Sequence, residues 1–232
     1  MNQLNRTPQS VAAVILDLDG TLLDTERMYK ACTLETLAHL GWPDSQDAIR
    51  AMVGLSSKKC DAFLMATFGP QFPLDVYHSE FERRRADRVR QGIPVKRGAQ
   101  SLIKALHESD LPFAIATSSS RVGAEHHLTQ AGLRDFFETV VTSDDVKDAK
   151  PSPDLYLEAA QRLGVEPTEC IAVEDSGHGV MAAHAAGMAT ILVPDMVTPD
   201  AQVQALCVLV CEDLNEALVF LETHISSLRE SV

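Results

Sequence analysis

Two carboxylates stand close together at the end of an apolar run near the start of the chain. Residues 11–16 are all apolar, and Asp17 and Asp19 follow them two positions apart, just before Gly20. On a strand, residues two apart point to the same side. Two carboxylates that converge in a dry place are unfavourable unless a cation, a proton or a ligand offsets their charge. The pair therefore indicates a charged binding site; the alternative is that one aspartate caps a turn and the other is solvated.

Further hydroxyl and charged groups follow later segments of the chain. They are Thr117 and Ser118 after one apolar run, Lys150 in a loop before a helix, and Glu174 with Asp175 at the end of another run. Acidic groups brought together repel one another, and a hard divalent cation such as Mg2+ would stabilise them. Two hydroxyls at a helix N-terminus and a fixed ammonium suit a phosphate dianion. Carboxylates, a cation and a phosphate site together indicate phosphoryl transfer.

Apolar runs alternate with helical segments in the second half of the chain. Besides the first run, strands are predicted at residues 113–116, 139–141, 171–173 and 188–193, with helices and short loops between them. This alternation predicts an α/β fold with a doubly wound, Rossmann-like parallel sheet. Such sheets bind their ligands at the carboxyl ends of the strands, and the candidate groups would meet there.

The segment between the first strand and the second has helical periodicity and no strand candidate. Helices are predicted up to about residue 40 and near residues 44–52, 56–68 and 74–91. A run of helices inside an alternating chain indicates an inserted helical domain. The sequence thus predicts an α/β catalytic core, formed by residues 10–24 and 95–232, and an all-helical cap domain, formed by residues 25–94.

The composition limits the class of protein and its partners. With 232 residues, 45% apolar and 23% charged, the chain resembles an ordinary globular protein. Its formal net charge of -13 argues against a nucleic-acid or anionic-membrane surface. We recognise neither a membrane span nor a signal sequence, and we expect a cytoplasmic monomer or weak homodimer. The five cysteines lack a Cys-x-x-Cys pair and are expected to be reduced core thiols rather than metal ligands or a redox pair.

The two aspartates of the first pair take different chemical roles in this interpretation. Asp17, at the strand end nearest to the phosphate, is predicted to attack phosphorus and become an aspartyl phosphate. Asp19 would protonate the leaving alcohol and then deprotonate the water that hydrolyses the intermediate. Asp19 must then hold a proton while Asp17 does not, a difference that distinct surroundings can produce.

The motifs, taken in order, resemble those of the haloacid dehalogenase (HAD) superfamily. The four superfamily motifs are matched by residues 17–21, 117–118, 150–154 and 173–176. The helices after the first motif place the resemblance in the helical-cap subgroup, which includes β-phosphoglucomutase and pseudouridine-5'-phosphatase. It implies that Mg2+ is held by Asp17, Asp175 and the backbone carbonyl of Asp19, with Glu174 bound directly or through water. It also implies a phosphate-binding set, which is Thr117, Ser118 and Lys150.

Two residues bear on the reaction within this superfamily. Carbon-attacking dehalogenases do not need the second aspartate and phosphonate hydrolases replace it, so Asp19 favours phosphate esters. β-Phosphoglucomutase carries a cap histidine twelve residues after the nucleophile, where this chain has Tyr29. We therefore expect a Mg2+-dependent hydrolase of a small phosphorylated metabolite, a sugar phosphate or a nucleoside monophosphate. The alternatives are a phosphomutase that uses phosphorylated Asp17, and a non-catalytic phosphate-binding protein.

Residues of the predicted cap are the candidates for substrate specificity. Lys58 and Lys59 follow a Gly-Leu-Ser-Ser segment between two cap helices, and Tyr29 lies on the first cap helix. Simple solvation is the alternative for both lysines. His126 and His127, on the helix after the hydroxyl pair, are expected on the surface.

Overall fold

The computed structural model describes residues 7–8, 10–43, 45–52 and 57–225, the side chains of residues 57 and 58 excepted. The chain divides into two compact units. The α/β unit comprises Met1–Asp24 and Pro94–Val232, and the helical unit comprises Thr25–Ile93.

The described part of the α/β unit contains a six-stranded parallel sheet of order β3-β2-β1-β4-β5-β6. The strands are β1 Ala13–Leu16, β2 Phe113–Ala116, β3 Thr139–Val141, β4 Cys170–Glu174, β5 Ala189–Leu192 and β6 Leu209–Val210. Its helices are α5 Ala99–Glu108, α6 Arg121–Gln130, α7 Asp154–Leu163, α8 Gly177–Ala185, α9 Ala201–Gln204 and α10 Leu214–His224. The α/β fold class and the parallel sheet are confirmed.

Helices cover both faces of the sheet, which explains why its central strand is apolar throughout. Every residue of β1 is buried. Its alternate residues Ala13 and Ile15 pack with α7 and α8 in one core cluster, whereas Val14 and Leu16 point to the opposite face. A strand that is covered on both faces has no polar side, and the run therefore lacks the alternation of a half-exposed strand.

The helical unit contains α1 Thr25–His39, α2 Gln46–Met52, α3 Ser57–Phe68 and α4 Leu74–Arg90. Its core joins Leu37, Ile49 and Leu64 to aromatic residues. The ring of Trp42 lies 5.1 Å from Phe72, between centroids. On α4, arginines pair with acidic residues three or four positions away, as in Arg83–Glu80 and Arg85–Glu82. No described helix is long and apolar enough to cross a membrane.

The cysteines carry no disulfide bond. All five are free thiols: Cys32, Cys170 and Cys211 are buried, and Cys60 and Cys207 are partly buried. Burial raises the pKa of the Cys170 thiol to about 12, so this sulfur is a small apolar group near neutral pH.

Candidate active site

The order in which strands are added to the sheet reverses at β1, and the candidate residues lie at the end of this strand. β1 lies between β2, the next strand in sequence, and β4, so the strand order reverses on either side of it. The register pairs Leu16 with both Ile115 and Val173. The residues after these partners, Asp17 and Glu174 among them, therefore stand side by side at the carboxyl edge. This is where doubly wound sheets bind ligands.

Lys150 joins the ends of these three neighbouring strands. Its Nζ donates to Asp17 Oδ1 at 2.6 Å, to Glu174 Oε1 at 2.6 Å and to the Ala116 carbonyl at 2.8 Å. The ammonium group has three N–H donors, and each has an acceptor. Burial alone would lower the pKa of Lys150, but the carboxylates of Asp17 and Glu174 outweigh it and raise the pKa above its usual value.

Glu174 is fully buried and accepts five hydrogen bonds from protein groups. Oε1 accepts from Lys150 Nζ and from the Tyr156 hydroxyl, each at 2.6 Å. Oε2 accepts from the Asp175 and Ser176 amides at 3.1 and 3.3 Å and from the Ser176 hydroxyl at 3.1 Å. A carboxylate offers about four lone-pair sites, so its capacity is used within the protein. Glu174 thereby holds Lys150 and the loop that opens α8.

Asp17 keeps one oxygen available. Its side chain is buried, and Oδ2 has no hydrogen-bond partner among the described residues, although Oδ1 is held by Lys150. Burial raises the pKa of Asp17 to about 7, with Lys150 opposing the shift and Glu174 adding to it. An unpaired buried carboxylate oxygen is unfavourable, and at a strand end it indicates a position for a ligand.

Three carboxylates converge at this point, close enough for a single cation to contact all of them. Oxygens of Asp17, Glu174 and Asp175 lie within 4.8 Å of one another. Burial and the charge of Asp17 raise the pKa of Asp175 well above its usual range. The cluster therefore disfavours full ionisation unless a positive charge joins it. Oxygen ligands of this kind are those that Mg2+ prefers.

The glycine of the first motif makes room for Asp175. Gly20 has φ +94°, and a Cβ at this position would overlap the Asp175 carboxylate. The next residue, Thr21, donates its hydroxyl to Asp175 Oδ1 at 3.3 Å. Only glycine adopts this backbone conformation readily, so the turn after β1 and the position of Asp175 depend on it together.

Asp19 faces the loop and helix that follow β2. Its Oδ2 accepts from the Ser119 hydroxyl at 2.7 Å, and its Oδ1 lies 3.0 Å from His127 Nδ1. Asp19 is partly exposed, whereas the His127 side chain is only 5% exposed. The expectation that His127 lies on the surface is wrong, and its neighbour His126 is the exposed one.

The hydroxyl pair after β2 divides between the interior and the surface. Thr117 is buried, and its hydroxyl oxygen accepts from the Ser119 amide at 3.0 Å. Ser118 is exposed. Both residues thus lie in the turn between β2 and α6, beside Ala116, which accepts from Lys150.

The specificity candidates of the predicted cap lie in the helical unit. Tyr29 is partly buried on α1, with its ring 6.3 Å from that of Phe81. Lys59 is exposed on α3. Lys58 is in the first turn of α3, and its side chain, like the preceding residues 54–56, lies outside the described residues.

Sequence reasoning missed four residues that contact the charged groups. They are Ser119, His127, Tyr156 and Ser176. A signal existed for His127, because it shares the buried face of α6 with Ala124 and Leu128, at helical spacing. Tyr156 likewise lies on the buried face of α7 with Leu155 and Ala159. Neither pattern, however, shows which polar group meets the side chain.

Comparison with known proteins agrees with this geometry. Residues 14–193 match the family model of haloacid dehalogenase-like hydrolases. The fructose-1-phosphate phosphatase YqaB of Escherichia coli (strain K12) is 37% identical over 183 residues, which span 76% of this chain and 93% of the relative. A probable pseudouridine-5'-phosphatase of Drosophila melanogaster is 33% identical over 82% of this chain and 85% of its own length. A Thermotoga maritima structure provisionally assigned as a beta-phosphoglucomutase superposes with a TM-score of 0.81, at 26% identity, over 92% of this chain and 99% of that one. The chain therefore belongs to the haloacid dehalogenase-like hydrolases, among which it groups with phosphatases.

Proposed function

We propose that this protein is a Mg2+-dependent phosphomonoester hydrolase that acts on a small phosphorylated metabolite through an aspartyl-phosphate intermediate. The observation that carries the proposal is the free Oδ2 of Asp17, buried at the end of the central strand beside two more carboxylates. A sugar phosphate or a nucleoside monophosphate is the proposed substrate class, since the two relatives are named for a sugar phosphate and for a nucleotide.

The acidic cluster fits a divalent cation. We assign Asp17, Asp175 and the backbone carbonyl of Asp19 as its protein ligands. Glu174 belongs to the same cluster, but its oxygens already accept five donors, and this favours a supporting role over direct binding. When bound, Mg2+ offsets the charge of the carboxylates and of the phosphoryl oxygens.

Asp17 and Asp19 divide the chemistry. Asp17 Oδ2 attacks phosphorus, forming the new P–O bond while the bond to the leaving oxygen breaks. Asp19 gives its proton to that oxygen, and the alcohol departs. Asp19 then takes a proton from water, whose oxygen attacks the aspartyl phosphate and releases inorganic phosphate and Asp17. Both steps conserve protons, and Asp19 ends protonated as it began.

The phosphoryl group would lie against the turn after β2. We propose that the turn at the start of α6, which contains Thr117 and Ser118, binds the phosphoryl oxygens. Lys150 stabilises the same oxygens through its positive charge. Because the three Lys150 donors already have acceptors, its contribution is mainly to hold Asp17 Oδ1 and to reduce the negative charge that the phosphate meets.

The helical insert is the proposed source of substrate selectivity. The α/β groups named above act on the phosphoryl group, which all phosphate esters share. We therefore propose that residues 10–24 and 95–232 form the catalytic core and that residues 25–94 act as a cap. Lys58, Lys59 and Tyr29 stay the candidates for contact with the leaving group.

A phosphate-release screen tests the proposal. Purified protein is incubated with sugar phosphates and nucleoside monophosphates in Mg2+, and released phosphate is measured. Asp17→Asn should remove turnover and leave the fold intact, because the amide cannot attack phosphorus. The matched control is Asp135→Asn, an exposed aspartate of the same unit, which should behave as wild type. Retention of a tenth of the wild-type rate by Asp17→Asn would refute the aspartyl-phosphate route.

Similarity to the Thermotoga maritima structure favours one second candidate, a phosphomutase. We expect β-glucose 1-phosphate with a trace of glucose 1,6-bisphosphate to give no net glucose 6-phosphate, since Tyr29 stands where the mutase carries a histidine. Rapid, bisphosphate-dependent formation of glucose 6-phosphate would replace the hydrolase assignment with the mutase.

A further inference from the structure

We propose that His127 is a positioning residue for the acid–base carboxylate of Asp19, and that Ser119 shares this role. The proposal rests on the proposed function, because it concerns how Asp19 delivers a proton to the leaving oxygen. The observation behind it is that the two Asp19 oxygens contact two different side chains, Ser119 Oγ at 2.7 Å and His127 Nδ1 at 3.0 Å.

Asp19 needs such contacts because the sheet does not hold its side chain. The residue lies beyond the end of β1, and its side chain is 21% exposed. A partly exposed aspartate samples several rotamers, and proton transfer requires the carboxyl group within hydrogen-bond reach of the leaving oxygen. Two hydrogen bonds to separate oxygens fix both the rotamer and the plane of the carboxyl group.

Both partners are themselves anchored in the α/β unit. The Ser119 carbonyl accepts from the Ser143 amide at 3.0 Å, and the Ser119 amide donates to Thr117 Oγ1 at 3.0 Å. His127 is buried on α6, where Ser120 caps the first turn by accepting from the Gly123 amide. A side chain that is buried and held on a capped helix is a firmer support than a surface group.

The ring nitrogen that faces Asp19 decides which substitutions test the idea. Nδ1 is the nitrogen nearer to the main chain, and it donates to Asp19 Oδ1 when it carries the proton. An asparagine places its amide N–H near the Nδ1 position, so His127→Asn keeps the donor. His127→Leu fills similar space without a donor. His126→Leu, at the exposed neighbouring position, controls for a general effect on α6.

The test compares two aryl esters whose leaving groups differ in basicity, p-nitrophenyl phosphate and phenyl phosphate. p-Nitrophenolate departs from phosphorus without a proton, whereas phenolate is more basic and gains more from an acid. For His127→Leu we expect kcat/KM to fall about tenfold or more with phenyl phosphate and at most about threefold with p-nitrophenyl phosphate, since a positioned acid assists only the poorer leaving group. His127→Asn should stay within about threefold of wild type on both esters, and His126→Leu should match wild type.

The outcomes separate positioning from a structural role. An equal loss on both esters, no loss on either, or failure of folded His127→Asn to restore phenyl phosphate hydrolysis would overturn the proposal. If His127→Leu has lost the wild-type circular dichroism spectrum, Ser119→Ala decides, because it removes the other contact at a partly exposed site. It should show the same selective loss for phenyl phosphate, and an unselective loss or none overturns the proposal. If the wild type releases phosphate from neither aryl ester nor any substrate of the phosphate-release screen, or if Asp17→Asn still does, the proposed function fails and the positioning role fails with it.

Discussion

Glu174→Gln separates the two roles that the acidic cluster allows for this residue. As a direct metal ligand, Glu174 would leave the metal-free protein no less stable when its charge is removed beside Asp17 and Asp175. If its main role is to accept five hydrogen bonds, replacing Glu174 should destabilise the metal-free protein. The structure favours the second outcome, because all five contacts come from donors.

The size of the effect follows from the donor count. A glutamine amide must place its NH2 group either toward Lys150 and Tyr156 or toward the three donors around Oε2. In the better orientation two buried donors lose their acceptor, at about 1–3 kcal/mol each. Loss of attraction to Lys150 and relief of repulsion from the other carboxylates oppose each other and are of the same order. We expect a net loss of about 3 kcal/mol, which corresponds to a melting temperature lower by about 6–12 °C for a protein of this size.

The assay is thermal unfolding in EDTA, followed by circular dichroism. Tryptophan fluorescence is a useful second signal, because the only tryptophan, Trp42, lies in the helical unit and should be insensitive to the substitution if the units unfold separately. Glu169→Gln, at an exposed glutamate beside the start of β4, is the matched control and should melt as wild type. A melting temperature of Glu174→Gln equal to or above that of the wild type would refute this reasoning. It would favour a direct metal-ligand role for Glu174 instead.

Gly179, the proposed metal and Asp145 each give a further test. Gly179→Ala should lower the free energy of unfolding by about 3 kcal/mol and reduce activity, because the new Cβ would overlap the Glu174 carboxylate. The control is Gly123→Ala, whose Cβ would lie 3.4 Å from Ser120 Oγ and which should change the free energy of unfolding by less than about 1 kcal/mol. Equal melting curves for the two variants would contradict this prediction. EDTA should abolish phosphate release, Mg2+ should restore it and Ca2+ should inhibit, since its looser shell misplaces the reacting groups; full activity after exhaustive chelation would exclude a required metal. Burial opposes the hydrogen bonds from Thr142 and Arg162 to Asp145, but these bonds prevail and lower the pKa of Asp145 to about 2. The stability that ionised Asp145 contributes is thus complete above about pH 4 and is lost as the pH falls toward 2. Asp145→Asn should therefore have a lower melting temperature than the wild type at pH 6 and the same melting temperature near pH 2. A difference in melting temperature that did not change with pH would contradict this prediction.

The parts of the site that the sequence predicted are those that the sheet itself places. Asp17 and Glu174 close buried apolar strands, and the parallel register fixes their positions side by side. Thr117 follows β2 for the same reason. Strand ends are local features of the sequence, and the parallel arrangement then brings them together without knowledge of any side-chain contact.

The parts that could not be predicted depend on side chains that reach across elements. Lys150 itself was predicted as a site residue, but its hydrogen bonds to Asp17, Ala116 and Glu174, which lie at the ends of β1, β2 and β4, were not. Tyr156 and His127 carry ordinary helical spacing, which predicts burial and not the partner. A buried polar group must find a hydrogen bond, but the choice among several candidates is made by packing, which periodicity does not encode.

The charge of the cluster connects the support of Glu174 to the need for a cation. Asp17, Glu174 and Asp175 bring three negative charges when ionised, and Lys150 returns one positive charge. Asp19, which contacts Ser119 and His127 and is partly exposed, is not counted in this buried cluster, although its charge adds to the rise in the pKa of Asp17. Two negative charges are thus left over, which a divalent cation would neutralise before a phosphate dianion approaches. Without that cation the cluster takes up protons near neutral pH, since burial raises the pKa of Asp17 to about 7, and a protonated Asp17 does not attack phosphorus. Under the proposed function, this arrangement would tie the nucleophile Asp17 to the metal through electrostatics, and the hydrogen bonds of Glu174 would keep Lys150 in place with or without the metal.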